Sequence, residues 1–277
     1  QAASGPGESP HARIVAMPPE TPTPPEEIPV RVVPAMRPIA WVHAGMRDFS
    51  LDRGPSLMHG LMVVLGGWIV SLLALKWWPL LPGAFSGFVL VGPILCTGLY
   101  EISRRREAGE KAGFAHVFGA WRRGTKPLVW MGLGLAFAGT AWVLVSALLV
   151  AVFVKAPITG ADSFVRYIVL SEGSNLYLVW VMAGGFGASL VFAATVVSAP
   201  MLLERDTDLG TALWASIRAV GANPVAMGVW ATIIMVATAV SMATAMLGFL
   251  FTIPVIGHAT WHAYRDTVDA SSLPERE

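Results

Sequence analysis

Between Pro224 and Tyr264 the chain runs for 41 residues without a single Asp, Glu, Lys or Arg. As one helix that run would measure about 60 Å at ~1.5 Å per residue, twice the ~30 Å hydrocarbon core of a bilayer. The segment must therefore cross, turn and come back. Comparable apolar stretches recur along the chain, and the predicted crossings are 57–77, 83–101, 127–154, 176–203, 224–247 and 249–265. The composition agrees: 55% of residues are apolar and 13% charged, against about 25% charged in soluble domains. The expected fold is an all-α membrane protein of six transmembrane helices arranged as three hairpins.

Orientation follows from the basic residues. Lys76, Lys155 and Arg166 fall in the loops after odd crossings, and the other sixteen of the 19 Lys and Arg lie on the opposite side. By the positive-inside rule both termini are cytoplasmic. Residues 1–38 hold ten of the twenty prolines and read as a disordered, proline-rich cytoplasmic tail. Residues 39–266 form the six-helix domain, and 267–277 a short cytoplasmic tail. Net charge is +1 with no separate basic domain, which argues against nucleic acid as a partner. Cys96 is the single cysteine and sits in an apolar run, so it reads as a small buried hydrophobe.

A short amphipathic segment and then a proline precede each hairpin. Ile39, Val42, Met46 and Phe49 come before Pro55; Phe114, Val117, Phe118 and Trp121 before Pro127; Leu209, Leu213, Ile217 and Val220 before Pro224. The spacing places each set on one helix face, as in helices lying flat in the interface. The even crossings each carry a proline, Pro93, Pro200 and Pro254, expected to kink them. The three units are read as a degenerate internal repeat. In the fourth crossing the pairs Gly184/Ala188 and Gly185/Ser189 supply a small surface for close helix packing, within the chain or in a homo-oligomer.

Candidate chemistry is sparse. His258 and His262 are four apart on the sixth crossing and share a face. They read as interfacial or structural residues; a proton or ligand contact is the alternative, and a metal or haem site would need further ligands, His59 being one candidate. No metal and no cofactor is expected. Arg104, Arg105, Arg106, Arg122 and Arg123 form the densest basic run and suit contact with anionic lipid or a docking partner. Glu101 has Arg104 and Arg105 at helical spacing, and Asp206 or Asp208 is placed to cap the third amphipathic helix. No phosphate-binding loop, zinc-protease motif, nucleophile elbow or paired intramembrane carboxylate occurs.

Trp41-Val-His-Ala-Gly-Met-Arg-Asp-Phe49, then Leu57-Met-His-Gly-Leu61, then Val91-Gly-Pro-Ile-Leu-Cys-Thr-Gly-Leu-Tyr-Glu-Ile-Ser-Arg-Arg105 together resemble an uncharacterised proteobacterial family of integral membrane proteins, domain of unknown function 2189. The likeness runs from about residue 38 to 268. It implies a location in the bacterial inner membrane. Some relatives carry the label of a cytochrome c oxidase subunit, but a haem-copper subunit needs a larger set of buried His ligands than His258 and His262. The chain reads as a non-catalytic accessory or assembly component of a membrane complex, possible partners being the bilayer, another membrane protein or a second copy. The alternatives are a transporter or channel component, and a cofactor-bearing respiratory subunit using His258 and His262.

Overall fold

The computed structural model describes residues 27–74, 77, 83–84, 88, 92–122, 126–170 and 175–276. Among these the regular structure is helical, apart from two isolated bridges, Val30–Val268 and Arg205–Glu275. The helices are α1 (Arg37–Leu51), α2 (Arg53–Ala74), α3 (Gly92–Leu95), α4 (Thr97–Glu107), α5 (Phe114–Arg122) and α6 (Lys126–Phe153). After them come α7 (Ala161–Phe164), which runs into a π-helical turn at Val165–Val169, then α8 (Leu176–Thr195), α9 (Ser198–Glu204), α10 (Leu209–Ala222), α11 (Pro224–Ala243) and α12 (Phe249–Thr267).

Among the described residues four segments are long and apolar enough to cross a bilayer: Arg53–Leu73, Lys126–Phe153, Leu176–Glu204 and Pro224–Ala243. They correspond to the first, third, fourth and fifth predicted crossings. Most of residues 83–91, in the second predicted crossing, lies outside the described residues. Its described end differs from expectation, because α4 continues past Glu101 to Glu107. Arg104 and Arg105 both pair with Glu101 (2.8 and 2.7 Å), so the charge is neutralised within the helix and does not terminate it.

The sixth predicted crossing, α12, is the least apolar because it is enclosed by protein. It packs against α1, α2, α4 and α11 and buries Pro254, Gly257, His258, Ala259, Trp261, Ala263 and Tyr264. Three glycines allow the close approach. A Cβ on Gly45 of α1 would lie 2.5 Å from the Val255 carbonyl oxygen. One on Gly60 of α2 would lie 2.5 Å from the Leu250 carbonyl oxygen, and one on Gly257 itself 2.5 Å from a Leu99 methyl. Backbones held this near gain dispersion contacts that lipid cannot supply.

The three amphipathic segments are helices α1, α5 and α10. On α1 the docked face is Pro38, Trp41, Gly45 and Asp48, while Ile39 and Met46 of the apolar set are 42% and 45% exposed. On α5 Phe114 and Phe118 face outward, and on α10 Trp214 and Ile217 do so. Asp208 caps α10 by accepting from the Thr211 amide (3.0 Å). Hydrogen bonds from the Thr211 side chain and backbone hold the Asp208 carboxyl below its ordinary range.

One end of the molecule gathers the charges. Residues 27–36, assigned from sequence to the tail, lie extended against the other terminus: Arg31 N–H donates to Thr267 O (2.8 Å) and Asp269 N–H to Pro29 O (2.9 Å). Asn223 clamps the same strand, accepting from Val33 N–H (2.8 Å) and donating to Arg31 O (3.0 Å). Hydrogen bonds from Ser271 and Arg31 bring the Asp269 carboxyl down to about 2. Residues 1–26, the rest of the expected tail, lie outside the described residues.

Candidate functional site

Inside this charged end four helices bring polar side chains to one point. The docked face of α1 carries Asp48 and, one turn on, Asp52. Pro55 in the first turn of α2 needs no hydrogen-bond partner there, and Ser56 and His59 follow it. Ser103 comes from α4, and His258 and His262 from successive turns of α12. Ser56, Ser103 and His258 are 0% exposed, His59 1% and Asp48 2%.

The contacts form a chain. Ser103 Oγ–H donates to Asp48 Oδ2 (2.8 Å), and the same Oγ lies 2.8 Å from His258 Nδ1. His258 Nε2 is 3.0 Å from Ser56 Oγ. His262 Nε2 is 2.9 Å from Asp48 Oδ2. A serine has one hydrogen, and an ionised carboxylate can only accept. Ser103 spends its hydrogen on Asp48, so it accepts from His258 Nδ1–H, which leaves His258 Nε2 to accept from Ser56. His262 must then donate through Nε2–H. Every donor in the chain points toward Asp48. Burial by itself would raise the Asp48 carboxyl; hydrogen bonds from His262 and Ser103, with the nearby His262 and His258 rings, hold it below the usual carboxylate range.

Around this core a ring of ion pairs ties the helix ends together. Asp52 pairs with Arg106 (Nη2–Oδ1 2.6 Å). Glu107 accepts from Trp261 Nε1 (2.9 Å) and Arg265 (3.0 Å). Glu204 accepts from Tyr264 (2.5 Å) and Arg265 (3.2 Å), and Asp266 from Arg37 and Trp41 (both 2.6 Å).

Of the residues singled out by sequence, His258 and His262 do share a face and meet the same carboxylate, one through Ser103 and the other directly. His258 is enclosed by protein. His59 lies one turn beyond Ser56; its Nδ1 is 2.8 Å from Pro55 O and its Nε2 stands against Gly98. Among the described residues no three His, Cys, Asp or Glu side chains are grouped to hold a metal. Arg104, Arg105 and Arg106 are turned to Glu101, Glu110 and Asp52. Arg122 ends α5, and Arg123 lies outside the described residues.

The other candidates sit apart. Gly184 faces α6, where a Cβ would come within 2.8 Å of the Trp142 ring; Trp142 in turn packs on Trp180 with ring centres 5.9 Å apart. Gly185, Ala188 and Ser189 are exposed, with nothing within 4 Å of a Cβ on Gly185. Pro93 lies in α3, Pro200 in α9 four residues after the α8–α9 break at Val196, and Pro254 within an unbroken α12. Cys96, between α3 and α4, is buried.

Asp48, Ser56 and Ser103 escaped the sequence reading. The spacing of Trp41, Gly45, Asp48 and Asp52 marks a second face of α1, but Asp there reads as solvated until α12 is in place. The order Ser56–His258–Ser103–Asp48 resembles a hydrolytic triad with a serine interposed. A nucleophilic serine must reach a substrate, and Ser56 is sealed. What the arrangement can do is fix a tautomer, orient helices and hold a proton.

No curated protein and no solved structure matches the chain. Residues 80–204, which include α3 to α9 and so Ser103 but not Asp48 or His258, match the family model described as "Predicted integral membrane protein (DUF2189)", the family that the motif at 91–105 resembles.

Proposed function

We propose that the chain is a non-catalytic accessory or assembly component of another membrane complex, with six crossings in three hairpins and both termini on the cytoplasmic side of a bacterial inner membrane. The reading of six crossings is supported by where the helices begin and end. α2 starts at the charged end, next to Asp52, and α4 ends there, at Arg106. α12, with 19 residues, spans ~28 Å at ~1.5 Å per residue, and its polar residues are shielded by neighbours.

The observation that carries the accessory role is the division of surfaces on α8. Gly184 is used inside the chain, whereas Gly185, Ala188 and Ser189 present a small-residue stripe outward. In lipid such a stripe suits another transmembrane helix. Meanwhile the polar cluster is sealed from any substrate.

A photo-crosslinking residue placed at Ser189 in living cells tests the reading. The expected result is a discrete adduct to a second transmembrane protein, lost on Gly185→Leu while the purified protein's melting temperature is unchanged. Adducts to lipid alone, or solute flux by the protein reconstituted by itself, would overturn it.

A further inference from the structure

We infer that the outer face of α1 and the start of α5 form a binding site for an anionic phospholipid, in which Arg47, Arg53 and Lys111 take the headgroup phosphate and Met46, Leu51 and Phe114 meet the acyl chains. The inference is independent of the accessory role. It rests on which cations at the charged end already have a partner. Arg104 pairs with Glu101, Arg105 with Glu101 and Glu110, and Arg106 with Asp52. Arg265 pairs with Glu107 and Glu204, Arg31 with Asp269 and Arg37 with Asp266. Arg47, Arg53 and Lys111 are exposed, and among the described residues none of the three makes an ion pair.

The neighbouring helices hold no spare acid for them. Asp48 accepts from Ser103 and His262, and Asp52, Glu101 and Glu110 are bound to Arg106, Arg104 and Arg105. Glu107 is bound to Trp261 and Arg265. α2 and α5 contain no Asp or Glu at all. The anion that complements the three cations must therefore come from outside the chain. α2 begins at Arg53, so the positive end of its macrodipole adds to their attraction.

Placement and surroundings select a lipid. Arg47 and Leu51 are four apart on α1 and so are neighbours on its surface, and Arg53 opens α2 two residues later. Its neighbour Gly54 stands against α5, where a Cβ would lie 3.3 Å from the Phe114 ring, and Lys111 precedes that ring by three residues. Arg53 is also the first residue of the apolar segment Arg53–Leu73, which puts it where that helix would leave the hydrocarbon for the headgroups. Leu51 is 55% and Phe114 48% exposed. A free phosphate would use the cations and leave these side chains in water. A phospholipid carries phosphate and acyl chains on one glycerol and covers both, while the long Arg and Lys stems lie along the apolar surface.

Native mass spectrometry of the full chain, delipidated in detergent and titrated with phosphatidylglycerol or phosphatidylethanolamine, reads the bound lipid directly. Wild type should retain the anionic lipid in preference to the zwitterionic one. Arg47→Gln, Arg53→Gln and Lys111→Gln should each weaken phosphatidylglycerol retention about fivefold, the scale of one basic residue at an anionic surface. Lys155→Gln, exposed in the loop after α6, should change nothing. Melting temperatures in lipid-free detergent should match wild type, because none of the three cations is paired within the chain; should the triple variant not fold, the single variants carry the test. Glycerophosphoglycerol and inorganic phosphate, which offer the phosphate without acyl chains, should not displace the lipid. Equal retention of the two lipids by wild type, or wild-type retention of phosphatidylglycerol in the three Gln variants, would overturn the inference. Displacement by inorganic phosphate would also overturn it, making the site one for a free anion.

Discussion

At Asp48 a single carboxylate oxygen serves both Ser103 and His262, so removing its charge has two consequences at once. Asp48→Asn keeps the volume but offers Ser103 and His262 a weaker acceptor, and should cost about 2–3 kcal/mol, the scale of hydrogen bonds to a charged group. The sign of its pH dependence follows from the depressed carboxyl. Stability that Asp48 contributes is full above the unfolded value of about 4 and is lost as pH falls through the lower folded value. Melting curves of the detergent-solubilised protein should therefore separate wild type from Asp48→Asn at neutral pH and converge below about pH 4; a gap that persists in acid would assign the effect to packing. The histidine half of this site was legible in the sequence, because four-residue spacing on an apolar helix needs no tertiary knowledge. The carboxylate half was not. Asp48 stands beside His43, Arg47 and Ser50, all exposed, and nothing local distinguishes it from a solvated residue.

Glycines decide how the helices meet. The sequence pattern pointed to the cluster in α8, and one member, Gly184, does meet a neighbour across the Trp142 ring. The tighter seams lie elsewhere, at Gly45 and Gly60, where the opposing atoms are backbone and cannot move aside. Gly45 has only Trp41 and Phe49 four residues away, and Gly60 has Ser56 on one side only; each fits against another helix's main chain. This part of the fold was unreadable because the partner surface is distant in sequence. Gly45→Leu and Gly60→Leu should each destabilise by about 1–3 kcal/mol or more, the range of overpacking, whereas Gly185→Leu should leave the melting temperature unchanged. Parallel thermal shifts of the three variants check this, and equal losses in all three would mean that the α8 stripe is internal after all. Loosening α1 at Gly45 should also reduce the stability that Asp48 confers at neutral pH, because the carboxylate reaches His262 only while α1 is docked.

The surroundings of α12 show how the scale of the whole molecule bears on that of the single helix. Among the described residues four segments are long and apolar enough to cross a bilayer, and α12 is not one of them, carrying two histidines, Trp261, Tyr264 and Thr260. α1, α2, α4 and α11 surround it, placing protein around its polar groups, as a crossing in lipid would require. The same enclosure brings the starts of α2 and α11 and the ends of α4, α9 and α12 to one end, bound by the Asp52–Arg106, Glu107–Arg265 and Glu204–Arg265 pairs. That end also receives residues 27–36 and 268–276, which lie against one another. Among the described residues fourteen Lys and Arg belong to segments at that end, and Lys155 and Arg166 do not; placing that end outside would oppose the positive-inside bias. Single-cysteine labelling with a membrane-impermeant maleimide, on a Cys96→Ala background, tests the arrangement in intact spheroplasts. Val165→Cys and Leu247→Cys, both at exposed positions, should label from outside, whereas Ala115→Cys in α5 and Ser271→Cys should label only after permeabilisation. Outside labelling of Ala115→Cys would reverse the charged end. Outside labelling of Ser271→Cys alone would separate the termini and leave α12 lying on the membrane instead of crossing it.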